Sequence, residues 1–140
     1  MADLQLVWFR NDLRTDDHLA LADAAAAGPV VGVYCFCPGQ LRAHDVGGNR
    51  VAFTLSHLRA LADALGALGM PLRILEADTF EAVPDALAEL AAELGAAALW
   101  FNDEYPLNEV RRDAAVEARF EALGLPVHSD GRTVGISARF

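Results

Sequence analysis

The sequence predicts a single α/β domain built on a three-layer, doubly wound, Rossmann-like sheet of five parallel strands. Short apolar runs alternate along the chain with longer segments whose apolar residues recur at helical spacing, which is the pattern of parallel strands joined by crossover helices. Residues 30–37 form an unbroken run of apolar and small residues, as expected for a strand buried on both faces. The length of 140 residues corresponds to one domain.

Five strands and four helices are predicted along the chain. The strands cover about residues 4–9, 30–37, 72–75, 97–102 and 126–128. The helices cover about residues 17–27, about residues 50–68, a segment that begins near Pro84, and about residues 106–123. Thr15 or Asp16 is a suitable N-cap for the first helix, and glycines follow the ends of three helices, as is common at helix C-termini.

Apolar residues at helical spacing predict the buried face of the last three helices. In the second helix they are Val51, Leu55, Leu58, Ala62 and Leu65. In the third helix they are Val83, Leu87, Leu90 and Leu94. In the fourth helix they are Leu107, Val110, Ala114 and either Phe120 or Leu123. The third helix is expected to begin near Pro84, because proline is tolerated in the first helical turn and disfavoured beyond it.

The composition argues against DNA binding by this domain alone and against a membrane span. The formal net charge is −9, whereas DNA-binding surfaces gain most of their non-specific affinity from cations on phosphates. Cys35 and Cys37 are too close along one strand for an ordinary disulfide, have no metal-ligand spacing, and are predicted to be reduced in a cytoplasmic protein. The uncharged run 24–41 is interrupted by Gly28-Pro29 and Pro38-Gly39 and is therefore predicted not to span a bilayer.

The turn after the first strand is charged and contains no glycine. Nucleotide-binding α/β proteins usually place glycines there, so that backbone amides can approach a phosphate. Here Arg10, Asp12, Arg14 and Asp17 follow the strand, and their guanidinium and carboxylate groups suit a fixed network of ion pairs. This cluster is predicted to be structural, and a free-standing nucleotide-binding α/β protein is kept as an alternative.

Two segments of the chain combine charged, amide and aromatic residues at specific spacings. The first is Leu6-Val7-Trp8-Phe9-Arg10-Asn11-Asp12-Leu13-Arg14, followed by Asp17-His18-Leu19-Ala20-Leu21. The second is Asn102-Asp103-Glu104-Tyr105, followed by Asn108-Glu109 and Arg112-Asp113. Both segments resemble the photolyase/cryptochrome family, and the first resembles the opening of those proteins over residues 5–21. The alternative interpretation of the first segment is an ordinary strand–helix junction with a salt bridge.

The resemblance implies the N-terminal α/β domain of a DNA photolyase, which carries a light-harvesting antenna chromophore. In that family a following helical domain binds FAD and damaged DNA, and light-driven repair of pyrimidine dimers depends on it. These 140 residues include no such domain, so the chain is expected to be a fragment without lyase activity of its own. Residues 1–129 are predicted to form the domain, and 130–140 the start of an interdomain linker or an aberrant tail. A fragment of a cryptochrome-type blue-light photosensor is the alternative.

The candidate site lies at the carboxyl edge of the predicted sheet, where doubly wound folds bind ligands. This edge comprises residues 10–14, 36–50 and 102–109. The resemblance assigns Asn108 and Glu109, with His44, to the pterin of a methenyltetrahydrofolate antenna. The same edge holds a deazaflavin-type antenna in other members, and the residues there are Arg50, Phe36, Cys37 and Asp103. Spacing alone leaves open that Glu109 only complements the helix dipole and that Asn108 and His44 face solvent.

Overall fold

In the part of the chain that the structure describes, helices alternate with the first five strands, as the sequence predicts. The structure is a computed structural model that describes residues 3–10, 12–16, 18–39, 48–103, 107–129 and 132–134, with 48–51, 107–108 and 132–134 described by their backbone. The strands are β1 (Gln5–Phe9), β2 (Val30–Phe36), β3 (Leu72–Glu76), β4 (Ala98–Phe101), β5 (Val127–Ser129) and β6 (Arg132–Val134). The helices are α1 (Leu19–Ala27), α2 (Gly48–Ala67), α3 (Val83–Leu94) and α4 (Leu107–Ala122).

The strands form one sheet in the order β3-β2-β1-β4-β5-β6. The first five strands are parallel, which confirms the predicted five-stranded parallel sheet. A sixth strand that was not predicted, β6, pairs antiparallel with β5. It falls in the segment interpreted as a linker or a tail, so the backbone of Arg132–Val134 continues the sheet beyond the boundary at residue 129.

Helices cover both faces of the sheet, because the residues of each central strand alternate between two apolar clusters. All five residues of β1 are buried. Leu6 and Trp8 belong to the cluster beneath α3 and α4, whereas Val7 and Phe9 belong to the cluster beneath α1 and α2. This alternation produces the predicted three layers and places β1 in the middle of the core.

Helix α1 begins two residues later than predicted. Its N-cap is His18, in an extended conformation, and the Nδ1 atom of this histidine accepts a hydrogen bond from the N–H of Leu21 at 3.0 Å. The prediction of Thr15 or Asp16 as the cap is therefore wrong. Gly28 follows the helix with an extended φ of 167°, and glycine is needed there because a Cβ would lie 2.2 Å from the carbonyl oxygen of Asp3.

Helix α2 buries only part of the predicted set, and the side chain of Val51 lies outside the described residues. Leu58 and Leu65 are buried as predicted, but Leu55 is 55% exposed and Ala62 is also exposed. Leu61, which the prediction omitted, is 2% exposed. Both sets fit the helical period, because Leu61 and Ala62 each lie three or four residues from Leu58 and Leu65. The placement of the helix on the sheet therefore decides between them.

Helix α3 confirms its predicted start and its predicted face. It begins at Val83 with Pro84 in its first turn, directly after a 3-10 turn at Phe80–Ala82. Val83, Leu87 and Leu90 are buried, and Leu94 is partly buried. Apolar spacing is reliable here because every inward position of the helix is apolar.

Helix α4 turns charged residues towards the core, contrary to the prediction. Val110 and Leu123 are each 44% exposed and Ala114 is exposed, while the side chain of Leu107 lies outside the described residues. The buried positions are Arg112, Asp113, Val116 and Phe120. These four residues share one helical face, but two of them are ionised, so a search for apolar periodicity did not find that face.

None of the helices in the described part of the chain has the length and apolar character needed to cross a membrane.

Candidate functional site at the carboxyl edge of the sheet

The carboxyl ends of β1 and β4 lie side by side at the point where the strand order reverses. β1 pairs with β2 on one side and with β4 on the other. The connection after β1 leads to β2, whereas β4 leads away to β5, so the crevice between the two connections is the topological switch point at which such folds bind ligands. Arg10 follows β1 at this point, and Asn102 follows β4.

The side chain of Arg10 occupies this crevice. It is only 5% exposed, and its Nη1 atom donates a hydrogen bond to Oδ1 of Asp113 at 2.7 Å. Its Nη2 atom donates to the carbonyl oxygen of Asn102. The guanidinium carbon lies 4.5 Å from the ring centroid of Trp8 and 4.7 Å from that of Phe101. A protein cation therefore stands where many doubly wound proteins hold a phosphate.

Asp12 accepts three hydrogen bonds and connects the start of α1 to the ends of β1 and β4. The donors are the backbone N–H of Arg10 at 2.9 Å, Nδ2 of Asn102 at 2.9 Å and Nε2 of His18 at 2.8 Å. Because Nδ1 of His18 accepts from Leu21, the tautomer with its proton on Nε2 satisfies both histidine contacts. Burial by itself would raise the pKa of Asp12, but the hydrogen bonds from His18, from the backbone of Arg10 and from Asn102 outweigh it and lower the pKa to about 2.

Asp113 is shared by two buried guanidinium groups. Nε of Arg112 donates to the same Oδ1 atom at 3.1 Å, and the side chain of Arg112 is 7% exposed. The guanidinium carbon of Arg112 lies 4.8 Å from the ring centroid of Trp8 and 4.6 Å from that of Phe80. Burial raises the pKa of Asp113, although both arginines act in the opposite direction. The two guanidinium groups in contact with this carboxyl favour its ionised form.

The structure supports the structural interpretation of the charged turn after β1. Arg10 and Asp12 form the network just described, and the backbone N–H of Arg14 donates to the carbonyl oxygen of Asp12 at 2.8 Å. Asp17 lies outside the described residues. The sequence prediction missed the inward role of Arg112 and Asp113, for which the usable signal was their helical spacing from Val116 and Phe120.

The predicted cofactor residues on β2 lie at the same edge of the sheet. Phe36 ends β2, and Cys37 follows it with Sγ 3.8 Å from the carbonyl oxygen of Cys35, to which it donates. Both thiols are free, and burial together with the neighbouring Cys37 raises the pKa of Cys35 to about 12. Burial also raises the pKa of Cys37, against the opposing effect of the Arg112 guanidinium. These thiols are protonated at neutral pH and behave as small apolar groups.

The other predicted cofactor residues follow β2 or β4. Glu109 is half-buried in the first turn of α4, one helical turn before Arg112 on the same face. Asp103 is half-buried and accepts a hydrogen bond from the hydroxyl of Ser129, so it lies towards β5. His44 and the side chains of Arg50 and Asn108 lie outside the described residues. Glu109 and Arg112 thus share one face of α4, whereas Asp103 is hydrogen-bonded to Ser129 on β5.

Acid should remove the stabilisation that comes from Asp12. Its pKa is about 2 in the folded protein and 3.8 ordinarily, so the unfolded chain binds the extra proton first as the pH falls. The contribution, about 2 kcal/mol, is present above pH 4 and is lost as the pH falls towards 2. Urea unfolding at a series of pH values should show this decline in the wild type and a smaller one in Asp12→Asn. Asp16→Asn, at an exposed position, should follow the wild-type curve, and identical curves for all three proteins would contradict the assignment.

The fold and this edge define a doubly wound α/β domain whose switch point is closed by its own ion pairs. The DNA photolyase family model matches residues 5–134. The chain is 40% identical over 114 residues to a deoxyribodipyrimidine photo-lyase of Salmonella typhimurium, covering 80% of this chain and 24% of the relative. It is 41% identical over 123 residues to one of Thermus thermophilus, covering 88% of this chain and 27% of the relative.

Solved structures show the same similarity. A Synechocystis cryptochrome superposes with a TM-score of 0.79 at 25% identity, over 92% of this chain and 27% of its own. A class III photolyase of Agrobacterium tumefaciens superposes with a TM-score of 0.70 at 28% identity, over 92% of this chain and 26% of its own.

The chain belongs to the DNA photolyase family. It spans about a quarter of the length of the photo-lyases it matches, at 24% and 27% of the two relatives named above. Proteins of this family act on DNA, and chromophores of the flavin and folate types occur in it. This confirms the resemblance seen in the two sequence segments.

Proposed function

We propose that this chain is the N-terminal antenna-chromophore domain of a deoxyribodipyrimidine photolyase. The observation that carries the proposal is the family match over residues 5–134, together with relatives that are named photo-lyases. In the whole enzyme the domain would harvest light for the repair of pyrimidine dimers in DNA. A helical domain would bind FAD and the damaged DNA, and the net charge of −9 agrees with a DNA contact outside this domain.

The antenna would bind beside the switch point rather than in it, since Arg10 fills the crevice. Methenyltetrahydrofolate is the proposed chromophore, with His44, Asn108 and Glu109 around its pterin. The chemistry of Glu109 fits, because a half-buried carboxylate on the first turn of a helix can accept hydrogen bonds from the amino and ring N–H groups of a pterin. The bound chromophore would supply near-ultraviolet or blue absorption. A deazaflavin-type antenna held near Arg50, Phe36, Cys37 and Asp103 is the alternative.

The proposal predicts that the 140-residue chain retains methenyltetrahydrofolate and that Glu109→Gln weakens this binding about 10- to 150-fold. A hydrogen bond to a charged group contributes about 1.5–3 kcal/mol, which corresponds to that range. Equilibrium dialysis followed by absorption spectroscopy measures the affinity, with 8-hydroxy-5-deazaflavin as the competing chromophore. Glu121→Gln, a half-buried glutamate at the other end of α4, should bind as the wild type does. Equal binding by wild type and Glu109→Gln would contradict the folate site, and retention of neither chromophore would contradict the antenna proposal.

A cryptochrome-type photosensor is the second candidate, and the TM-score of 0.79 to a cryptochrome favours it. The DNA downstream of codon 140 should contain a reading frame for a helical domain if either candidate is correct. Light-driven cleavage of pyrimidine dimers by the product of that longer frame would support the photolyase, and its absence would support the photosensor.

A free-standing nucleotide-binding protein is disfavoured by the Arg10 side chain in the crevice, and an adenine nucleotide retained on purification would support that alternative instead. We place the protein in the cytoplasm, in agreement with its free cysteines.

A further inference from the structure

Arg112 is linked to residues of several strands and helices at the carboxyl edge of the sheet. Its guanidinium lies within 4.8 Å of the Trp8 ring on β1 and 4.6 Å of the Phe80 ring before α3. Through Asp113 it shares a carboxylate with Arg10, which in turn reaches the carbonyl oxygen of Asn102 after β4. One side chain of α4 is therefore linked to β1, to the turn before α3 and, through Asp113 and Arg10, to the residue that follows β4.

The side chain of Arg112 is almost completely buried. It is 7% exposed, and two aromatic rings and a carboxylate surround its guanidinium. Glu109, by contrast, is half-buried on the same helical face one turn earlier. Glu109 is therefore carried by the same helical face as a side chain whose guanidinium is buried.

We propose that Arg112 is a positioning residue for the antenna site, and that its planar contacts with Trp8 and Phe80 hold Glu109 in place. The ligand in this inference rests on the proposed function, whereas the contacts of Arg112 do not depend on that function. The guanidinium is flat and lies against aromatic rings while it donates in its plane to Asp113, which a lysine ammonium cannot do. An Arg112→Lys variant would therefore keep the positive charge but would no longer hold Glu109 in position.

The test compares Arg112→Lys with Arg111→Lys, a matched change at the neighbouring exposed arginine. The first readout needs no chromophore: backbone hydrogen exchange in the first two turns of α4 should accelerate at least tenfold in Arg112→Lys. Exchange in α1 and in the last turn of α4 should not change. Arg111→Lys should behave as the wild type throughout. Unchanged exchange in Arg112→Lys would overturn the inference, even if the wild type bound no chromophore at all.

The second readout is the bound methenyltetrahydrofolate. Arg112→Lys should bind it about tenfold more weakly and shift its absorption maximum, because the loss of the two contacts between the guanidinium and the rings corresponds to about one order of magnitude. Phe80→Leu, which removes one ring and no charge, should change both properties in the same direction. Val30→Ala, a core change in the opposite layer, should lower the unfolding free energy without shifting the absorption band. An absorption band in Arg112→Lys at the wild-type position would overturn the inference. A shifted band in Val30→Ala would also contradict it, because the shift in Arg112→Lys would then reflect lower global stability.

Discussion

Replacement of Asp113 by alanine is expected to lower the free energy of unfolding by about 3–5 kcal/mol. The carboxylate is the shared partner of two guanidinium groups whose side chains are only 5% and 7% exposed. Its removal leaves two cations close together in the core, and neither can be hydrated without opening the edge of the sheet. Urea unfolding monitored by circular dichroism measures the loss. Asp113→Asn keeps an acceptor oxygen and should lose less than the alanine variant does.

Asp85→Ala is the matched control for this prediction. Asp85 also contacts an arginine, with Oδ1 3.0 Å from Nε of Arg119, but the two side chains are 73% and 40% exposed. Exposed pairs contribute between zero and about 1 kcal/mol, so this variant should unfold nearly as the wild type does. If the alanine variants at positions 113 and 85 had similar stabilities, the buried network would contribute no more than a surface ion pair.

Replacement of Phe120 by alanine is expected to lower the free energy of unfolding by about 3–5 kcal/mol. The side chain is fully buried beneath α4, in the cluster that contains Trp8 and Phe101. Its truncation removes apolar contacts and leaves a cavity between the helix and the sheet. Thermal and urea unfolding of the purified variant measure the change.

Leu123→Ala is the matched control for Phe120→Ala. The sequence left open whether α4 buries Phe120 or Leu123, and Leu123 is 44% exposed in the structure. Its truncation should cost under about 1 kcal/mol, because nearly half of its surface stays in contact with water in the folded protein. A larger loss at position 123 than at position 120 would mean that the end of α4 is rotated relative to this description.

Apolar spacing predicted helix faces well only where every inward position is apolar. Helix α3 satisfies this condition, and its start near Pro84 and its buried residues agree with the prediction. In α2 two sets of leucines and alanines fit the same period, and the packing against the sheet selects Leu61 over Ala62. In α4 the inward positions include Arg112 and Asp113, so the pattern pointed to the exposed Val110 instead.

The location of the candidate site was predictable, but its internal chemistry was not. Alternating elements place the ends of β1, β2 and β4 at one edge of the sheet, and the sequence indicated that edge. The pairing of Arg10 with Asp113 joins residues 103 positions apart, and no local pattern contains this information. The cap of α1 shows the same limit, because His18 is fixed as the cap by Asp12 on the preceding loop and faces Asn102 on a distant one.

The sequence by itself determined the order of strands and helices, the parallel sheet and the similarity to the DNA photolyase family. These properties depend on hydrophobic periodicity and on motifs within short segments, so they are readable locally. Only the tertiary structure decided which face α2 and α4 bury, that β6 extends the sheet, and that Arg10 closes the switch point. These features depend on contacts between distant residues, in which a buried charge is stable only because its partner arrives from another element.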